Sequence, residues 1–374
     1  MILASFLLYA GEALAGPIED LQPGHWYMVP NSRLDTMLPN PIPPGWSGPV
    51  SIMGAWSGGA YDTKRDRLIV WGGGHNDYGG NEIYVFDISA FKWLRTWGPS
   101  SNIPDPGGSC SETYSDGNPV SKHTYDGLEY IPIIDRFFSH GGSLYCGPGS
   151  GSVATWLFDF NSLTWQLKTT ILPVGSWTEL EVVTAYDSVT GHVFISSPSL
   201  GLYEYNPSNN TWTERSSTPI GYGKVAAIDP GRRKFVVIGG GQIQAYTLSA
   251  SGTLTLQTLS TTGDAAILSA DYPGFVYDPV SDRFVAWNGG ANVYTLNMDT
   301  LKWTRVPPAL TNTVVPTSAS GTGTFGRWQY VSSKNAFIGV NQINENVYVY
   351  KLTAGGGPSA DNTPPASPRG LVLR

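Results

Sequence analysis

Five histidines, His25, His75, His123, His140 and His192, are the side chains of this sequence that change charge near neutral pH. Two imidazoles held side by side titrate apart, because protonating one disfavours protonating the other. Such a pair offers a base and an acid at one pH. Removing a proton from carbon while protonating a leaving oxygen needs that combination. Two cysteines, Cys110 and Cys146, are the only thiols. No Cys-x-x-Cys or His-x-x-x-His spacing marks a zinc site, so a disulfide is the expected state, with a metal role as the competing one. Which of these groups meet depends on the scaffold.

That scaffold is written as a repeat. Trp71-Gly72-Gly73-Gly74-His75-Asn76-Asp77-Tyr78 ends an apolar strand at a glycine run, Ile83-Tyr84-Val85-Phe86-Asp87 follows, and Trp93 closes the unit. Related units begin at Tyr61-Asp62, Glu129-Tyr130, Tyr186-Asp187, Ile228-Asp229, Tyr277-Asp278 and Gln329-Tyr330. Repeats of roughly 40–50 residues with this content indicate radial β-blades. The expected fold is all-β, a propeller of six four-stranded blades; the Pro-rich segment 33–50 has room for part of a seventh. The sixth unit lacks a Trp strand after Leu352, and His25-Trp26-Tyr27-Met28-Val29-Pro30 matches Lys302-Trp303-Thr304-Arg305-Val306-Pro307. An N-terminal strand is therefore expected to close the last blade and remove the open sheet edges.

Strand alternation sorts the candidates by face. Counting strands a to d outward from the axis, the b–c loops and the blade-to-blade connections share one face, and the a–b and c–d turns share the other. His75 lies in the first b–c loop. His123 follows the long insertion 98–122 and is expected to open the second blade's innermost strand. His140 ends that blade's strand b, in a slot that Trp71 and Trp287 fill elsewhere, so packing is its competing role. Cys110, Cys146, Asn76, Asp77, Asn81, Tyr145, Lys224, Asn288 and Arg327 fall on the same loop-rich face. His192 and Tyr186 are read toward the opposite one.

Composition bounds the rest. The 374 residues include 45 glycines, 13 tryptophans and 20 tyrosines, with only 14% charged residues, a mix that argues against disorder. A formal net charge of −7 and the lack of any basic run argue against a nucleic-acid partner, and no apolar stretch is long enough to span a bilayer. Residues 1–15, ending in Ala13-Leu14-Ala15, read as a signal peptide, which places the protein outside the cell or in a periplasm. Residues 16–353 are the expected propeller, acting as a monomer. Residues 354–374 read as a linker and the start of a fibronectin type III-like module.

With Trp56-Ser57-Gly58-Gly59-Ala60-Tyr61-Asp62, Gly72 to Tyr78, His123-Thr124-Tyr125-Asp126-Gly127 and Arg327-Trp328-Gln329-Tyr330 in view, the chain resembles Kelch-type propellers. Among these it is similar to the secreted propeller polysaccharide lyases of the ulvan-lyase type, over roughly residues 50–352. The resemblance implies β-elimination on 4-linked uronic acid chains. One group neutralises the carboxylate, a base removes the C5 proton, and an acid protonates the leaving O4. It places His123 and His140 at the paired-histidine positions and Tyr186 beside them as catalytic residues, with His75, Asn76 and Tyr125 lining the substrate mouth. Such lyases complete the site with an arginine after the tyrosine. No arginine occurs here between Arg136 and Arg215, so Arg327 or Lys224 would have to neutralise the carboxylate. No cofactor is required for this chemistry; a structural metal ion is left open.

Three functions fit these residues. A lyase acting on an anionic polysaccharide leads. A non-catalytic glycan-binding propeller is the alternative. A copper radical oxidase of the galactose oxidase type comes last, because it needs a cysteine cross-linked to a tyrosine.

Overall fold

The computed structural model describes residues 16–148, 150–169 and 180–355. The expected signal peptide and the linker beyond residue 355 lie outside these residues. Six antiparallel four-stranded blades follow one another around an axis, and their innermost strands pack in ring order, the sixth against the first. Those innermost strands are Gly59–Asp62, Leu128–Ile131, Val183–Asp187, Val225–Asp229, Gly274–Asp278 and Trp328–Val331. The outer strand of the fifth blade gains a short parallel partner, Thr262–Gly263. A single four-residue α-helix, Ser51–Gly54, occurs among the described residues. No described helix is long and apolar enough to cross a membrane.

The repeated Tyr-Asp pair has a physical reason. Each Asp ends strand a and caps the following turn; Asp62 Oδ1 accepts the N–H groups of Lys64 and Arg65, both at 3.1 Å. Tyrosine hydroxyls at the same place in four blades donate five residues ahead, Tyr61 to Asp66 at 3.3 Å, Tyr130 to Asp135 and Tyr277 to Asp282 at 2.7 Å, and Tyr330 to Asn335 at 3.0 Å. Arginines carry this clasp between blades: Arg65 reaches Asp135 at 2.8 Å, and Arg232 reaches Asp282 at 2.6 Å. The motif that announced the repeat thus builds the a–b turns and sews neighbouring blades together on that face.

The core is divided into wedges between adjacent blades. Trp71, Ile83 and Val85 of the first blade pack against Leu128, Phe137 and Phe158 of the second. Trp287 and Val293 of the fifth pack against Trp328, Phe337 and Tyr350 of the sixth. Trp26 enters that last wedge because Trp26–Met28 is the outermost strand of the sixth blade, with Trp26 opposite Tyr350 and Met28 opposite Tyr348. The expected closure is present. A seventh blade is not, among the described residues: segment 33–50 forms two 3₁₀ turns, Leu34–Met37 and Gly48–Val50, whose prolines and short runs give no ladder.

Cys110 and Cys146 form a disulfide across 36 residues. It pins the insertion to a small satellite core of Tyr114, Val120, Leu144 and Tyr145. Replacing both cysteines by serine is expected to lower stability by about 3–4 kcal/mol in the chain-entropy account. Urea titration followed by circular dichroism measures this, and a change below about 1 kcal/mol would show that the insertion is held by packing alone.

Candidate functional site

The loop after strand b of the first blade is shaped by glycine. Trp71 is fully buried, and Gly72 and Gly73 turn the chain with φ of 150° and 133°. Gly73 N–H then donates to Lys122 O at 2.9 Å. Gly74 lies so close to the Lys122–His123 segment that a Cβ would stand 2.2 Å from the His123 nitrogen. Only glycine permits this approach, which delivers His75 and Asp77 to His123. His75 itself holds φ of 41°, a sparsely populated conformation for a residue with a side chain.

His123 does not open the second blade's innermost strand, which starts at Leu128. It sits ahead of it, in a two-residue ladder pairing Lys122 with Leu144 and His123 with Ser143. Tyr125, with φ of 48°, and Gly127 turn the chain between the two, so an unbroken strand was the wrong expectation. The Cys110–Cys146 bond lies next to this ladder and fixes its position.

His123 is 3% exposed, and its Nε2 lies 2.8 Å from Asp77 Oδ2. Ser47 Oγ donates to the other oxygen of Asp77 at 2.8 Å. The hydrogen bond from His123 holds the Asp77 carboxyl below the usual range. Burial pulls the His123 imidazole down, against the raising effect of Asp77. Near neutral pH the pair is therefore a carboxylate facing a neutral imidazole. The rings that meet His123 are Trp56 at 5.3 Å, His75 at 5.6 Å and Tyr125 at 6.3 Å between centroids. One ligand-type atom from each of His75, Asp77 and His123 lies within 4.8 Å of the others. Asp77 and Trp56 also line an open cavity of about 310 Å³ with Ser47, Ser320 and Gln342. Trp56 is 37% exposed and Trp46, whose backbone N–H donates to Asn76 O, is 72% exposed.

The other sequence candidates lie elsewhere. His140 is 1% exposed; Thr155 Oγ1 meets its Nδ1 at 2.8 Å, and its ring packs against Phe138 and Trp212. It occupies the wedge between blades two and three, as tryptophan does in other blades. Tyr186 lines an axial cavity of about 500 Å³ toward the opposite face, with the half-buried carboxyls of Asp126 and Glu129. Burial pushes Tyr186 to about 12, Asp126 to about 7 and Glu129 to about 8. Asn76 uses both ends of its amide to hold the insertion, through Gly107 N–H at 2.7 Å and Gly147 O at 3.3 Å. Tyr125 is buried, and desolvation followed by the nearby Glu181 charge raises its phenol.

Neither expected cation faces the mouth. Arg327 is fully buried and donates to the carbonyls of Met53 and Gly323, at 2.8 and 2.7 Å, and to those of Val340 and Ser57. Lys224 is buried too, donates to Gly239 O, and has its pKa lowered by desolvation. The short 3₁₀ turn Phe325–Arg327 and the glycine-rich loop around Lys224 draw both chains inward. Sequence reasoning put Asp77 on the right face but gave it no role, and it did not single out Trp56 or Ser47. The available signal was the spacing: Asp77 follows His75 by two residues in a loop built of glycine.

No family model matches the sequence. Among solved structures, the chain is similar to a fungal alcohol oxidase of the AA5 family in complex with copper, at 14% identity and a TM-score of 0.45, over 79% of this chain and 62% of that one. It is also similar to YjhT, at 12% identity and 0.49, over 81% and 95% of the two chains. A third likeness is to a protein of unknown function from Bacteroides thetaiotaomicron, at 10% identity and 0.48, over 87% and 75%. The match thus spans less than two thirds of the oxidase's length.

Proposed function

We propose that the loop-rich mouth is a binding site for a polysaccharide, with uronate-containing chains as its ligand class. The observation that carries this reading is the open cavity in which Asp77, Ser47 and Gln342 lie beside the exposed face of Trp56, with Trp46 on the adjoining loop. Exposed tryptophans rimmed by polar groups suit sugar rings, which present apolar faces and hydroxyl edges. The resemblance of the Gly72–Tyr78 and His123–Gly127 motifs to Kelch-type polysaccharide lyases supports the ligand class. The axial cavity is less suited, being walled inside the ring by tyrosines and by two carboxyls whose ionisation burial opposes.

A second reading, cleavage by β-elimination, is favoured by the Asp77–His123 pair. A neutral imidazole oriented by a carboxylate is a competent general base. It would take the C5 proton, the C4–O4 bond would break as the C4–C5 double bond forms, and His75 would protonate the leaving O4. The oxidase reading loses its cysteine, because both thiols are in the disulfide.

One experiment separates these readings. The protein is run through gels containing polygalacturonate, alginate or ulvan, and the same mixtures are followed by ultraviolet absorbance of the unsaturated product. Retardation is expected, weakened about tenfold in Trp56→Ala, equivalent to about 1.4 kcal/mol of stacking. A rise in absorbance that disappears in His123→Ala would promote the lyase reading. Free migration on every polymer would remove both.

A further inference from the structure

An acidic protein that grips a uronate needs positive charge at the point of contact. The formal net charge is −7, and both sequence-expected cations are engaged with backbone carbonyls. The geometry points to a divalent metal of the zinc class held by His75, Asp77 and His123, with an open coordination position toward the Trp56 cavity. This rests on the binding reading above, since a His123 that coordinates a metal is no base.

The ligand set fits the chemistry. Two imidazoles and one carboxylate suit zinc, and three protein ligands with one vacant position is the arrangement of sites that accept an exogenous oxygen ligand. Ligand atoms about 2.1 Å from a tetrahedral zinc stand roughly 3.4 Å apart. The three groups already lie within 4.8 Å, with His123 and Asp77 at 2.8 Å, so loading moves side chains by about an ångström. The supporting frame is rigid. Gly74 presses the first blade's loop onto the His123 ladder, the disulfide pins the neighbouring insertion, and Ser47 fixes the free oxygen of Asp77. Outer contacts of this kind orient metal ligands. His192 and Glu204 form the other close histidine–carboxylate pair among the described residues, at 2.6 Å, but Arg215 shares that carboxylate, and its charge opposes a metal there.

The test uses the untagged full chain after chelator treatment, titrated with zinc chloride in a calorimeter. One zinc per chain is expected, with affinity falling about 100-fold in His75→Ala and in Asp77→Asn, and unchanged in His192→Ala. His75 is only half-buried, so its alanine variant should fold, which its circular dichroism and metal-free melting temperature verify. Migration through polygalacturonate should then be retarded by zinc in wild type and not in His75→Ala. Absence of saturable heat, or equal affinity in wild type and His75→Ala, overturns the site. Retardation indifferent to zinc overturns its role toward uronates. Zinc bound with these variant effects, but free migration on every polymer, upholds the metal site and sinks the glycan-binding reading instead.

Discussion

Trp26→Ala is expected to lower the unfolding free energy of the whole propeller by about 3–5 kcal/mol, the range for truncating a buried aromatic. Trp26 is 3% exposed and packs within 4.7 Å of Tyr350, 5.4 Å of Trp287 and 5.9 Å of Trp328, between ring centroids. Its indole N–H donates to Ala291 O at 3.0 Å, and its backbone N–H to Asn312 Oδ1 at 2.9 Å. One side chain therefore joins the sixth blade to the fifth. Removing residues 16–32 should do more, because it strips the outer strand and reopens the edge beside Tyr348–Tyr350. Urea unfolding followed by circular dichroism measures both. A loss below about 1 kcal/mol for Trp26→Ala would show that the ring does not depend on this closure.

Arg327→Met should be comparably damaging, and it distinguishes two accounts of that residue. As a rim cation, Arg327 would affect ligand binding and leave stability within about 0.5 kcal/mol, as surface changes do. As a fully buried guanidinium serving the carbonyls of Met53, Ser57, Gly323 and Val340, it ties the segment before the first blade to the sixth. Methionine roughly keeps the volume but strands those acceptors, each costing about 1–3 kcal/mol when left unpaired in the interior. A total loss of about 3–5 kcal/mol is expected once relaxation and water entry are allowed for. Normal stability with weakened glycan retardation would restore the rim account.

The fold was legible because its signals are local and repeated. The Tyr-Asp turn with its acidic or amide residue five positions on, the glycine run after strand b and the Trp on strand d each report one structural job, performed several times. The Trp26 strand was found because its Trp and Val-Pro match those near Trp303. The disulfide was legible from the oxidising compartment that an exported chain enters, with Cys110 in the insertion and Cys146 just after Gly141-Gly142 on the same face. The site was legible only to the level of a face. Alternation places His75, His123 and His140 together, but it cannot say that the ring of His140 turns into a wedge toward Trp212 while that of His123 turns toward Asp77. That difference is set by the Lys122–His123 ladder, whose partners Leu144 and Ser143 lie in a separate segment beyond strand b, and by the room a missing Cβ leaves at Gly74. Likewise, Arg327 and Lys224 look like rim charges in the sequence. Their burial depends on carbonyls supplied by other segments, which no local pattern reveals.

The seam at Trp26 also has a consequence in time. Its partner Tyr350 lies about 320 residues later in the chain, so at 5–20 residues per second a ribosome needs roughly 15–60 s to make the second half of the pair. Throughout that interval the Trp26–Met28 strand has no ladder partner, because Tyr348–Tyr350 has yet to be made. Unpaired edges of this kind readily accept a strand from a neighbouring copy. The first of the described strands to be made is thus the last of them to find its place, and the risk of exchange between molecules is greatest before Tyr350 is made.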